Sequence, residues 1–164
     1  MLKLYKFTSE SKRYWETWDN GDGNHTVHSG VLGEKGESKI VERSFFRKPE
    51  KVIQAEIDGL LTEGYRPLDE DQERRLLIEY TVEGFGEPAD LDKRHRLEGR
   101  MNETLGWTGL GNCDGGSIGS GTMEVSCFVV DFDVAQRIIA ADLEGTEFAN
   151  YSRIYDEDAE EPAT

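Results

Sequence analysis

The chain has 164 residues and a formal charge of −15, from 19 Lys+Arg against 34 Asp+Glu. Only 36% is hydrophobic, and no apolar run approaches the ~20 residues of a membrane span, so a water-soluble protein of one or two small domains is expected. Excess acid disfavours a simple polyanion binder, which carries a basic footprint. In chain order, Leu2 to Phe7 and Arg13 to Trp18 are rich in aromatic residues and suit strands. Asn20-Gly21-Asp22-Gly23-Asn24 supplies residues that tolerate positive φ and predicts a turn. His25 to Val31 returns antiparallel, Gly33-Glu34-Lys35-Gly36 turns again, and Ser38 to Phe46 makes a fourth strand. Pro49 fits a first helical position, and Val52, Ile53, Ile57, Leu60 and Leu61 follow at helical spacing until Gly64 supplies a left-handed cap. The expected unit is a small twisted antiparallel sheet with one covering helix.

The second half has a different rhythm and a different charge: residues 71–164 hold 8 of the basic residues but 21 of the acidic ones. Leu76, Ile78, Tyr80 and Val82 alternate with polar residues, as in a half-buried strand. Asp90 is a candidate cap for a helix in which Leu97, Met101 and Leu105 repeat every four residues. Trp107 to Asn112 suggests a short strand entering a glycine-rich turn. Thr122 to Val130 follows as a strand with Met123, Val125, Cys127 and Val129 on one face. Asp131 or Asp133 caps a helix that turns Val134, Ile138, Ile139 and Leu143 inward and closes at Gly145, and Phe148 to Tyr155 is the last strand. The order β-α-β-β-α-β is that of ferredoxin-like domains. The fold class is therefore α+β: residues 1–68, a linker over 69–73, a second domain over 74–155, and an acidic tail over 156–164 too polar to order.

Tyr14-Trp15-Glu16-Thr17-Trp18, the glycine-containing turn, Val27 to Gly36, and an apolar helix ending Glu63-Gly64-Tyr65 together resemble a WGR domain across residues 2–68. That family occurs in poly(ADP-ribose) polymerases and in bacterial proteins of poorly defined role. The resemblance implies association with DNA ends and with neighbouring domains through a Trp-Gly-Arg triplet. Ser29-Gly30-Val31 stands at the matching positions. The tryptophan that would stack on a sugar or base is gone, as is the arginine that would fork onto phosphate. The resemblance thus implies the scaffold more than the DNA contact, with Gly30 and Gly33 kept for permissive φ.

Two surfaces are candidate contacts, and the open sheet face of the second domain with its glycine-rich hairpin is the leading one. Lys39, Arg43, Arg47, Lys48 and Lys51 form the one basic cluster; they either meet phosphate, face a protein, or neutralise the acidic half across an interface. The glycine-rich stretch holds Cys113, Asp114, Gly115, Gly116 and Ser117. It lacks the lysine and helix start of a phosphate loop, so a hairpin loop or bulged strand pair is the simpler reading. Cys113 beside Asp114 is expected to be an unreactive thiol or a packing residue, since nothing places a cation near it; Cys127 belongs to the core. His25 and His28 point to opposite strand faces and lack further ligands, so no metal and no cofactor are expected. Trp15 and Trp18 also lie on opposite faces, so at most one is core and the other is left to anchor an interface or to pack against the second domain.

No catalytic residue is assigned. The expected role is a non-enzymatic protein-interaction or adaptor module, possible partners including a basic nuclease blocked by the acidic face, with accessory work in nucleic-acid metabolism implied only by the resemblance. The alternatives are direct nucleic-acid binding through the basic cluster, and a small-ligand or thiol enzyme using the Cys113-Asp114 loop. Two cysteines are too few for a disulfide scaffold, and Met1 to Lys6 lacks the basic-then-apolar layout of a signal peptide. A cytoplasmic setting is the resulting expectation.

Overall fold

A computed structural model describes residues 1–46 and 48–160. The protein is mixed α/β, with two four-stranded antiparallel sheets and four helices among these residues. The first sheet is a meander: β1 (Leu2–Phe7), β2 (Lys12–Asp19), β3 (His25–Val31) and β4 (Glu37–Val41) pair in sequence order. Helix α1 (Pro49–Glu63) starts on proline and ends where Gly64 turns left-handed at φ 100°, letting the Tyr65 N–H reach the Leu60 carbonyl at 3.0 Å.

Strand alternation gives the first sheet two unlike faces. Leu4, Trp15 and Val27 form a core with Ile53 and Tyr65. The opposite face carries Tyr5 and Tyr14, which are register partners, and the row Lys3, Glu16, His28, each directly across from the next. This second face is turned toward the other half of the chain.

A 3-10 turn over Glu70–Gln72 leads into that half. It comprises β5 (Arg74–Thr81), α2 (Pro88–Trp107), β6 (Gly111–Gly119), β7 (Thr122–Val129), α3 (Phe132–Leu143), β8 (Arg153–Asp156) and the single turn α4 (Glu157–Glu160). Its sheet runs β6-β7-β5-β8, antiparallel throughout. Leu76, Ile78 and Tyr80 of β5, with Met123, Val125 and Cys127 of β7, pack on Leu97, Met101 and Leu105 of α2 and Ala135, Ile139 and Leu143 of α3. Both helices therefore cover one sheet face. The same cluster takes in Tyr5, Tyr14 and Leu32 from the first half. No helix among the described residues is long and apolar enough to cross a membrane.

Several sequence expectations change. Strand β4 stops at Val41 rather than Phe46, because Val41 already faces His25, the first residue of β3. Helix α2 begins two residues before Asp90. Glu87 is the N-cap, and Asp90 accepts its N–H at 2.8 Å as the returning half of a capping box. The helix continues through Trp107, so the strand expected over 107–112 starts only at Gly111. Strand β8 is four residues long. Phe148 lies in the preceding turn, buried, with its carbonyl accepting the Tyr80 hydroxyl at 2.8 Å. The start of the acidic tail is held to β5 by pairs from Arg74 to Asp156 (2.6 Å) and Arg75 to Glu157 (2.7 Å); residues 161–164 lie outside the described residues.

Candidate functional site

The junction between the halves is built from β2, β3 and the end of α2. Gly33, at φ 90°, donates its N–H to the Thr108 carbonyl at 2.9 Å, and a Cβ there would sit 2.8 Å from Val134 of α3. Gly109, at φ 68°, lets the backbone pass against the Tyr14 ring, where a Cβ would fall on the ring itself. Lys12 closes the edge through an ion pair to Asp131, whose other oxygen accepts the Val134 N–H at 3.0 Å and caps α3. Gly30, by contrast, lacks positive φ; its constraint is space, since a Cβ would come 2.9 Å from Gly36 Cα.

A buried hydrogen-bonded chain of first-half residues lies against this junction. His28 is 1% exposed and Glu16 5% exposed. His28 Nδ1 lies 2.8 Å from Glu16 Oε1, and Nε2 lies 3.1 Å from the Tyr14 hydroxyl. A carboxylate only accepts, so Nδ1 donates to Glu16. The Trp107 carbonyl is 3.4 Å from the same hydroxyl, and its indole meets the His28 ring edge-on with centroids 5.1 Å apart. Burial, together with the nearby Glu16 charge, pushes the Tyr14 pKa up to about 12.

Glu16 Oε2 looks outward, with Lys3 Nζ 3.7 Å away. It forms part of a cleft of about 460 Å³ lined by Met1, Lys3, Glu16 and Trp18 of the first half and Asn102, Trp107 and Asn112 of the second. Trp15 is the core tryptophan, its indole N–H held by Glu56 at 2.9 Å, while Trp18 is half-buried in the cleft wall. The alternation Tyr14, Glu16, Trp18 was the available sequence signal for this face. What the sequence could not supply was the partner wall from α2 and β6.

The basic cluster is not gathered into one grip. Lys39 reaches back to Glu56 at 2.8 Å, supporting the carboxylate that holds Trp15. Arg43 anchors its loop by donating its backbone N–H to Asn24 Oδ1 at 2.9 Å, with its side chain exposed. Lys48 and Lys51 are exposed on either side of the start of α1, and Arg47 lies outside the described residues. Among the described residues, the ion pair between the halves uses Lys12, while Lys39 of the basic cluster pairs within its own half. Sequence reasoning missed the aromatic part of this surface by assigning it to a strand. Phe45 and Phe46 are 103% and 101% exposed, beside a hollow of about 590 Å³ formed with Gly23, Arg43, Lys48 and Pro49.

The glycine-rich stretch is strand β6, with a bulge between Cys113 and Gly116 where Asp114 and Gly115 interrupt the ladder to β7. Asp114, Gly115, Gly116 and Ser117 are exposed, and Ser117 donates to Glu124 at 3.0 Å. Cys113 is buried and joined by a disulfide to Cys127, its directly opposed partner. The structure thus sets Cys113 against Cys127 rather than leaving it as a lone thiol beside Asp114. Two cysteines fourteen residues apart gave no sign of this, because their pairing depends on the bulge register.

The chain matches no protein-family model, no curated protein and no solved structure.

Proposed function

We propose that the protein is a non-enzymatic interaction module, a WGR-like first half joined to a ferredoxin-like second half, which docks on a protein partner through the loop between β4 and α1. The observation that carries this reading is the complete exposure of Phe45 and Phe46 among Arg43, Lys48 and Lys51. Two adjacent phenylalanines left in water lose the burial free energy that aromatic side chains normally contribute, and contiguous exposed apolar surface marks interaction sites. A partner surface offering an apolar pocket with acidic rims complements both features. Screening confines charge effects to about 8 Å at physiological salt, so the local cations outweigh the protein's overall negative charge at this loop.

The strand order β6-β7-β5-β8 and the single-sided helices support the ferredoxin-like reading of the second half. The meander with its covering helix supports the WGR-like reading of the first. The open face of the second sheet is a weaker contact surface. Its polar side chains are already engaged with each other, Arg153 with Glu79 at 3.0 Å and Tyr155 with Glu124 at 2.9 Å.

A photoreactive phenylalanine analogue at position 46, compared with one at position 85, tests this directly. Phe85 is also exposed but is flanked by Glu83 and Glu87. Position 46 should yield a discrete protein adduct that disappears with Arg43→Glu plus Lys48→Glu, while position 85 yields none. Identical adduct patterns at the two positions, or adducts to nucleic acid alone, would overturn the proposal.

A further inference from the structure

We infer that the cleft between the halves binds a flat heterocyclic lactam of nucleobase size, a ring presenting an N–H beside a C=O. The inference rests on the Lys3–Glu16–His28 row and not on the Phe45–Phe46 loop, so the two proposals fail independently.

Three observations carry it. First, Glu16 is a carboxylate withdrawn almost completely from water, yet only one of its oxygens is held within the protein. Oε1 takes the His28 N–H at 2.8 Å, whereas the partner for Oε2 is Lys3 at 3.7 Å, beyond direct hydrogen-bond length. That acceptor is open to solvent through the cleft, so a ligand N–H can take the place of water at it. Second, that oxygen opens into a cleft whose walls include two indoles, Trp18 and Trp107, and whose volume of about 460 Å³ falls within the range of small-molecule sites. Indole faces favour flat rings irrespective of sequence or substituent. Third, the polar groups around the cleft are of mixed sign. The Glu16 acceptor sits beside the Lys3 ammonium, and Asn102, whose carbonyl is committed to the Cys113 N–H at 2.9 Å, keeps its amide N–H groups for a ligand.

An acceptor next to a donor complements a ring edge that donates and accepts side by side. A lactam does this: its N–H points to Glu16 Oε2 and its carbonyl oxygen to Lys3. Guanine, uracil and thymine carry such an edge. Adenine does not, because its ring nitrogen there only accepts and would set a lone pair against the carboxylate. His28 is a positioning residue in this arrangement. Its N–H fixes the Glu16 rotamer, and its ring is in turn fixed by Tyr14 and Trp107.

The same edge is available from a free nucleoside or from a base in a single strand, and titration calorimetry on the full chain separates the two. Guanosine and uridine should bind saturably, with adenosine and 1-methylguanosine, whose lactam N–H is blocked, at least tenfold weaker. Glu16→Gln keeps the shape of the side chain but removes the charge and should weaken guanosine binding at least tenfold. Lys3→Met, on an edge strand at the cleft mouth, should do the same and serves if the Glu16 variant fails to fold. If the source is a strand, oligo-dT binds far more tightly than thymidine and weakens with salt, while oligo-dA does not bind. If it is a free nucleoside, oligo-dT gains nothing over thymidine. Equal binding of guanosine and 1-methylguanosine, binding indifferent to both variants, or no binding of any lactam at millimolar concentration would overturn the inference.

Discussion

On one side of the first sheet, Leu4, Trp15 and Val27 meet Ile53 and Tyr65, and a polar tie from Trp15 to Glu56 reaches the rim. On the other side, the same three strands set Lys3, Glu16 and His28 in a row beneath the second half. The first side is an ordinary sheet–helix core whose contribution scales with apolar area. The second holds a buried carboxylate and imidazole, groups that repay their desolvation only when their hydrogen bonds are complete. One period-two alternation thus gives a single strand, β2, a stabilising face through Trp15 and a recognition face through Glu16 and Trp18.

The contrast can be broken from either side. Trp15→Ala removes a buried indole from the helix face and should cost about 3–5 kcal/mol in urea unfolding, while leaving the geometry of the cleft untouched. His28→Ala strips Glu16 and Tyr14 of their shared partner and should cost about 2–3 kcal/mol. It should also weaken the guanosine binding proposed above, which Trp15→Ala should not. Equal effects of the two variants on binding would erase the distinction between the faces.

Alkaline pH sharpens the same contrast with a smaller effect. The Tyr14 hydroxyl keeps its proton to about pH 12 when folded, against 10.0 for an ordinary tyrosine. Above pH 10 the unfolded chain releases a proton that the folded chain retains. The contribution is therefore complete below pH 10 and is lost as pH rises toward 12. Tyr5 and Tyr80 are displaced in the same direction by burial and steepen the fall. Tyrosinate absorbance should lag behind that of the urea-unfolded chain across this range; coincident titrations would show that these hydroxyls are not buried by the fold.

Much of this architecture was legible in the residues themselves. Pro49 and Gly64 bracket α1, and the four apolar residues of β7 fall on the buried face, because these features are local and periodic. Errors arose where a neighbour decides the outcome. Phe45 and Phe46 have strand propensity but no strand to pair with, since β3 begins opposite Val41. Asp90 has the chemistry of a cap, but Glu87 three residues earlier takes that position. The cleft was invisible for the same reason. Glu16 and Trp18 announce a face, but Asn102, Trp107 and Asn112 lie more than eighty residues away in the chain and meet them across a junction that includes the passage of Gly109 over Tyr14.

The claim on which these readings depend is that Tyr5, Tyr14 and Leu32 belong to the core of the second half, so that the two halves unfold together. Urea denaturation followed both by tryptophan fluorescence and by far-ultraviolet circular dichroism tests it, with wild type compared to Gly109→Ala. The expected result is one coincident transition for wild type and two separated transitions for the variant, whose new Cβ displaces the Tyr14 ring from the junction. Two independent transitions in the wild-type protein, unchanged by the substitution, would contradict it.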